Sequence, residues 1–138
     1  MTAKEMARYA IIARLRRETT AESLALQLQA SRGQIVPIVE ELVKKGAVLR
    51  KEGGYFIRND NIPEIELRRA EIVNALYFEA LEISVLKERV QMSDDVFPVI
   101  LADMGTDDMV ILEAGNVIDL IRGVQIPGAT EQIVDPTF

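Results

Sequence analysis

Apolar residues recur at helical spacing near the start of the chain, and the clearest run predicts a helix over about residues 32–45. Its inner face has the spacing i, i+3, i+4, i+7 and consists of Ile35, Ile38, Val39 and Leu42. Ser31 and Gln34 have the Ser-x-x-Gln spacing of a capping box, in which each side chain satisfies a free backbone N–H of the other residue. Gly46 follows the last apolar position and is typical of a helix end.

Two amphipathic segments precede this helix and predict two further helices. The first covers about residues 3–17. The second is shorter and begins at Thr19 and Glu22, whose spacing is that of a Thr-x-x-Glu capping box. Its inward-facing residues would be Leu24, Ala25 and Leu28.

After Gly46 the hydrophobic period changes from 3.6 to 2, which predicts strands. Residues 47–51 and 55–58 both alternate between the two faces of a strand. Between them, Gly53 and Gly54 tolerate the positive φ that a tight turn requires. Together these segments predict a β-hairpin with basic side chains on its outer face.

The order of helix, short helix, capped helix and basic hairpin resembles the winged helix-turn-helix domain of bacterial transcription regulators, including those of prophages and plasmids. Three segments carry the resemblance: Thr19–Ala25, Ser31–Val36 with Ser-Arg at the start of the capped helix, and Leu42–Val48 with Leu-x-Lys-Lys-Gly before the hairpin. The resemblance covers about residues 1–59, which is less than half of the chain.

By position, the resemblance implies that the helix over 32–45 is a recognition helix in the major groove, and that the hairpin over 47–58 is a wing on the DNA backbone. Arg32 is the candidate for reading a guanine edge, because a guanidinium fork matches O6 and N7. Glu40 and Glu41 lie on the same presented face, where a carboxylate repels phosphate. The full set of implied DNA-binding residues is Thr20, Ser31, Arg32, Gln34, Arg50, Lys51 and Arg58.

Charge is distributed unevenly along the chain. Residues 1–60 carry eleven Lys and Arg against seven Asp and Glu, whereas residues 61–138 carry five against fifteen. The net charge of −6 for the whole chain therefore hides a basic half and an acidic half. This asymmetry favours a nucleic-acid-facing first half beside a second half with another role.

The segment after the hairpin has a different pattern. From Pro63 to about Gln91 the chain is amphipathic, without an internal Gly or Pro, and its apolar residues recur at near-heptad spacing. One helix over 63–91 would be about 43 Å long, which exceeds the diameter of a domain of this size. We therefore expect it to pack against a second copy of the chain or to be broken near residues 77–80.

Two shorter helices are predicted next, beginning at Ser93 and at Thr106. Each start has a hydroxyl N-cap and two acids in the first turn, and a Gly closes each segment. Short β-rich runs at 99–102 and 109–112 leave strands open as an alternative. The residues after Gly123 are expected to form an extended tail.

The predicted fold class is mainly α with a small β-hairpin wing. A winged helix-turn-helix domain over residues 1–60 would be followed by an all-helical, acidic dimerisation or effector region over 61–123. The tail over 124–138 would complete the chain.

Candidate chemistry is sparse. The chain has no Cys and no His, which removes thiolate chemistry, the commonest general base and the commonest metal ligand. Helix capping accounts for four of the five acidic residues that suggest a metal cluster, namely Asp94, Asp95, Asp103, Asp107 and Asp108. We therefore expect no enzyme activity, no metal and no cofactor.

The N-terminus is unlike a signal peptide and no apolar run is long enough to span a bilayer, so a cytoplasmic protein is expected.

These observations favour a DNA-binding transcription regulator. It would form a homodimer through 63–91 and the flanking helices, and would place two recognition helices about 34 Å apart on double-stranded DNA. The alternative is a winged-helix adaptor or anti-repressor-like module that binds a protein partner without reading DNA. A third possibility is a sensor that binds a small molecule between the long helix and the two short ones.

Overall fold

A computed structural model describes residues 1–123 of the chain and contains six α-helices and six strands within that range. The helices are α1 (Ala3–Arg14), α2 (Ala21–Gln27), α3 (Arg32–Lys44), α4 (Glu64–Ala75), α5 (Ile83–Val90) and α6 (Phe97–Thr106). The strands are β1 (Thr19–Thr20), β2 (Val48–Lys51), β3 (Tyr55–Arg58), β4 (Leu81–Glu82), β5 (Val110–Glu113) and β6 (Val117–Leu120). A short 3₁₀ turn over Glu52–Gly54 joins β2 to β3.

The same series of elements occurs twice in this mixed α/β molecule: a helix, a two-residue strand, two helices and a hairpin. We call α1 to β3 the first unit (residues 3–58) and α4 to β6 the second unit (residues 64–120). Each has a three-stranded antiparallel sheet, ordered β1-β3-β2 in the first unit and β4-β6-β5 in the second. Every residue pair of the first sheet recurs 62 positions later, as when Thr19 lies opposite Phe56 and Leu81 opposite Ile118.

The turns repeat as well as the helices and strands. Eight residues of the described chain have a positive φ, and they form four pairs 62 positions apart: Gln29 and Gln91, Gly46 and Asp108, Gly53 and Gly115, and Gly54 and Asn116. The left-handed region is costly for residues with a side chain, so it is occupied only where the fold requires it. Within residues 1–123, only seven of the 61 position pairs at this spacing carry the same amino acid, so the two units share a backbone arrangement without sharing a sequence.

Each unit buries its own hydrophobic core, and equivalent positions contribute to both. The first core includes Ile11, Leu24, Ile35, Leu42 and Val48. Their counterparts in the second core are Val73, Leu86, Phe97, Met104 and Val110. The burial of apolar side chains at matching positions explains why two dissimilar sequences form the same arrangement.

The two units are joined mainly by helix α1 packing along helix α4. Met6 of α1 is buried in the core of the second unit. At the far end of α1, Arg14 Nε donates a hydrogen bond of 2.8 Å to Asn74 Oδ1 on α4. The N-terminal ammonium of Met1 donates to the carbonyl of Ile121 at 2.8 Å, which ties the start of the chain to the end of the second sheet.

The elements predicted for the first sixty residues are confirmed. The capping box of Ser31 and Gln34 is present, and Gly46 has a φ of 82° immediately after α3. Two details differ from the prediction. Helix α1 ends at Arg14, and the N-cap of α2 is Thr20, which accepts from the N–H of Ser23 at 3.1 Å.

The prediction of one long helix over 63–91 is wrong, and its alternative of a break near 77–80 is confirmed. Helix α4 ends at Ala75, and α5 begins only at Ile83 after the short strand β4. The near-heptad pattern arises because α4 and α5 each bury apolar residues in one core, from different directions. The long helix that would pair with a second copy is therefore absent from residues 1–123.

The prediction of an all-helical region over 61–123 is also wrong, because that segment contains strands β4, β5 and β6. Of the two strand alternatives, 109–112 corresponds to β5, whereas 99–102 lies within α6. Thr106 does not cap a new helix: its hydroxyl donates to the carbonyl of Ala102 at 3.1 Å, at the end of α6. The tail predicted over 124–138 lies outside the described residues.

Candidate nucleic-acid interface

The outer face of α3 starts at a capped N-terminus. Gln34 N–H donates to Ser31 Oγ at 3.2 Å, and Ser31 N–H donates to Gln34 Oε1 at 2.9 Å. The cap therefore engages the side-chain oxygen of Gln34, one of the predicted DNA-binding groups. Arg32 and Gly33 are exposed in the first helical turn, where backbone N–H groups lack a partner within the helix.

Arg32 projects beside helix α2 and forms an ion pair with Glu22. The hydrogen bond from Arg32 lowers the pKa of the Glu22 carboxyl. Both side chains are mostly exposed, at 64% and 62%, so the pair lies in high dielectric and contributes little to stability. The Arg32 guanidinium is thus held near the N-terminus of α3 by a contact that a phosphate or a base edge could replace.

Arg50 of β2 lies across from α3 and forms a two-pronged ion pair with Glu40. Its guanidinium carbon is 5.4 Å from the centroid of the Phe56 ring, so the aromatic face orients the side chain. The hydrogen bond from Arg50 lowers the pKa of Glu40. One of the two acids that oppose DNA binding is therefore already neutralised by a hairpin cation.

Glu41, the second of those acids, is directed toward α1. Its carboxylate lies 3.1 Å from Lys4 Nζ, 3.5 Å from Arg8 Nη2 and 3.4 Å from Lys45 Nζ. The hydrogen bond from Lys4 is the main cause that lowers the pKa of Glu41. The sequence pattern predicts this side chain on the DNA-facing side of α3, whereas the structure places it against three cations.

Three of the predicted site residues occupy distinct positions. Lys51 is exposed at the end of β2, and none of residues 1–123 forms an ion pair with it. Thr20 is partly buried and serves as the N-cap of α2. Arg58 is half-buried beside α4, where its charge opposes the rise that burial causes in the pKa of Glu71. The structure therefore brings Arg32, Arg50 and Lys51 to the exposed surface and leaves Arg58 between the two units.

The second unit offers an internal comparison for each of these residues. At the positions that correspond to the four predicted cations Arg32, Arg50, Lys51 and Arg58, it carries Asp94, Leu112, Glu113 and Leu120. Ser31 alone keeps its identity, as Ser93, whose hydroxyl accepts from the N–H of Val96 at 3.2 Å. Ser31 caps α3, whereas Ser93 makes the equivalent hydrogen bond in the turn before α6, which begins only at Phe97. The serine contact therefore recurs in both units, whereas the cations occur in one.

Three of the five acidic residues that suggest a metal cluster form ion pairs with Arg or Lys. Arg69 of α4, with a side chain only 14% exposed, donates to Asp103 at 3.1 Å and to Asp107 at 2.6 Å. Lys87 forms an ion pair with Asp94. Within residues 1–123, no three side chains of the metal-ligating types come together as a metal-binding group.

Comparison with protein-family models, with curated proteins and with solved structures finds no match for this chain. In the part of the chain that the structure describes, no helix combines the length and the apolar character needed to cross a membrane.

Proposed function

We propose that the first unit is a winged helix-turn-helix that binds double-stranded DNA, and that the chain is a transcription regulator. In this proposal α3 is the recognition helix, with Arg32 at the base edges, and the β2–β3 hairpin is the wing, with Arg50 and Lys51 on the phosphate backbone. Thr20 and Ser31 cap α2 and α3 and hold the free N–H groups of their first turns in position for phosphates.

The observation that carries the proposal is the difference between equivalent positions of the two units. Both units form the same arrangement, yet only the first has Arg, Arg and Lys where the second has Asp, Leu and Glu. The arrangement does not require the three cations, since the second unit forms it without them. A requirement other than folding therefore accounts for them, and a surface of exposed cations is suited to phosphate.

The carboxylates beside these cations do not prevent this role. Glu22 and Glu40 form exposed ion pairs, and such pairs give way readily to a competing anion. Glu41 is bound by cations of α1 and α3 on another side. On binding, we expect Arg32 and Arg50 to exchange their carboxylate partners for groups of the DNA.

The test is an exchange of residues between the units in the full chain. The variant Arg32→Asp, Arg50→Leu and Lys51→Glu carries the amino acids of the second unit, so the backbone is known to accommodate them. Binding to a pool of random DNA duplexes would be measured by fluorescence anisotropy as a function of salt. We expect wild-type binding at about 50 mM salt and a salt slope reduced by about two in the variant, one for each of the phosphate contacts of Arg50 and Lys51.

A matched pair of single variants separates this site from overall charge. Lys51→Glu and Arg89→Glu each replace an exposed cation by an acid, the first on the hairpin and the second on α5. Lys51→Glu should weaken DNA binding about tenfold or more, and Arg89→Glu should leave it close to wild type. The proposal fails if wild type does not bind at low salt or if both variants lose affinity equally.

Dimerisation stays a prediction, and the long helix that was expected to form the dimer interface is absent from residues 1–123. One face of α4 is covered by α1 of the same chain. Size-exclusion light scattering on the DNA-binding sample tests for a dimer, and enrichment of palindromic duplexes from the pool tests for paired half-sites.

A further inference from the structure

The second unit contains an apolar groove at the place where the first unit has the ion pair of Arg50 and Glu40. The groove has a volume of about 340 Å³ and lies between α6, β5 and the start of α5. Its lining is uncharged and includes Ile83, Phe97, Pro98, Leu101, Ala102 and Leu112. Leu112 extends the apolar surface into solvent, with an exposure of 60%.

Two substitutions between the units account for the apolar character of this place. In the first unit, Arg50 of the hairpin reaches Glu40 of α3, so a charged pair spans the helix and the strand. The corresponding residues of the second unit are Ala102 and Leu112. The exposed leucine at one of these positions does not serve folding, because an apolar side chain stabilises a protein only when it is removed from water.

We propose that this groove binds a short segment of a partner protein that inserts apolar side chains and carries Lys or Arg beside them. The volume lies near the lower end for ligand-sized pockets, about 300–1000 Å³, and suits a few anchoring side chains. This inference does not depend on DNA binding by the first unit.

Charge decides between the possible occupants. Residues 63–123 carry five Lys and Arg against thirteen Asp and Glu. Around the elements that form the groove, Asp95 precedes α6, Glu113 ends β5 and Glu82 precedes α5, while Asp94 is paired with Lys87. A second copy would bring the same acids together, and residues 124–138 contain two acids and no Lys or Arg. A basic flank on a different protein complements the rim, which favours association and register.

The test uses a phage library of random 16-residue peptides selected on the full chain. Selected peptides should share two or three large apolar residues flanked by Lys or Arg. They should lose at least tenfold in affinity for the variant Ala102→Glu and Leu112→Arg, which restores the pair found in the first unit. A second variant, Leu112→Arg alone, changes a lining side chain that is 60% exposed and should weaken the same peptides, so that the test does not rest on one folded variant.

Leu26→Glu provides the control, because Leu26 is 81% exposed on α2, away from the groove, and this change should leave peptide binding intact. The proposal is overturned if no selected peptide distinguishes wild type from the two groove variants, or if the selected peptides are acidic. It is also overturned if light scattering shows a wild-type dimer that Ala102→Glu and Leu112→Arg convert to a monomer, since the occupant is then a second copy. DNA binding should be unchanged in all groove variants.

Discussion

At the scale of the residue, two glycines show how backbone geometry determines what a substitution does. Gly53 has a φ of 77° in the first hairpin, and an added Cβ would lie 3.4 Å from the Tyr55 ring. Gly105 lies within α6, and an added Cβ there would meet no atom within 4 Å. The same change, Gly to Ala, therefore has opposite expected effects at the two positions.

We expect Gly53→Ala to lower the free energy of unfolding by about 1–2 kcal/mol, because alanine is strained in the left-handed region. Gly105→Ala should raise it by about 0.5–1 kcal/mol, because glycine loses more backbone entropy in a helix than alanine does. Urea denaturation of both variants measures this. Equal effects in the two variants would contradict the assignment of the hairpin turn.

Residue identity also shows what the repeated arrangement tolerates. Asp108 and Asn116 occupy left-handed positions that Gly46 and Gly54 occupy in the first unit. Asp and Asn are the residues with side chains that adopt this region most readily. The turn geometry is thus kept while the amino acid changes.

At the scale of the element, Arg69 holds α4 against the end of α6. Its guanidinium donates to Asp103 and Asp107, and the hydrogen bond to Asp103 is the main cause that raises its pKa. The neighbouring Arg68 forms ion pairs with Glu64 and Glu71 of its own helix and is more exposed. The two arginines therefore differ in whether they join elements.

Arg69→Ala should lower the free energy of unfolding by about 1–3 kcal/mol, the range for hydrogen bonds to charged groups. Arg68→Ala should change it by less than about 0.5 kcal/mol, as expected for pairs within one exposed helix face. Chemical denaturation with an unchanged m-value provides the measurement. If Arg68→Ala lowers the free energy of unfolding as much as Arg69→Ala does, the hydrogen bonds of Arg69 to α6 and its end do not account for its contribution to stability.

At the scale of the whole molecule, the two units share an interface along α1 and α4. Met6 of the first unit is 8% exposed and packs into the second core, and Arg14 hydrogen-bonds Asn74 across the interface. The first unit nevertheless has a hydrophobic core of its own. Removing the second unit would leave that core in place and expose the inner face of α1.

A fragment ending at Asp60 is expected to fold with lower stability than the same unit in the full chain. The loss should be at least about 2 kcal/mol, the scale for exposing one or two large apolar side chains. Chemical denaturation of the fragment and of the full chain, followed through a spectroscopic signal from the first unit, compares the stability of that unit in the two proteins. A fragment as stable as the full chain would show that the two units fold independently and that their contact is weak.

Much of the first unit could be read from local patterns. Capping residues, helical spacing and the glycines of the hairpin depend on interactions between residues close together in the chain. Ser31, Gln34 and Gly46 therefore predict the two ends of α3 without any information on the rest of the molecule. The local sequence signals for the helices and strands of the second unit are weaker. Its hairpin turn has Gly115 and Asn116 where the first has two glycines, and its third helix lacks a capping box.

A signal for the repeat was present at the spacing of 62. The seven identical pairs are Ala13 and Ala75, Leu24 and Leu86, Gln29 and Gln91, Ser31 and Ser93, Ile38 and Ile100, Val48 and Val110, and Gly53 and Gly115. They include Ser31, which caps α3, and a turn glycine, and geometry restricts the choice of residue at both positions. Seven identities in 61 pairs are hard to recognise in the sequence before the two units are aligned by their structures.

Local patterns in the chain were enough to predict the elements of the first unit, the basic and acidic halves, and the cations of α3 and the hairpin. Packing between distant segments was needed to show that α4 and α5 are separate helices, that β5 and β6 form a second hairpin, and that Glu41 is directed toward α1. The physical reason is that local periodicity records which side chains are buried, without recording which neighbour buries them. Ile72 and Leu86 share one core across a turn, and their spacing in the chain looks the same as it would along a single helix.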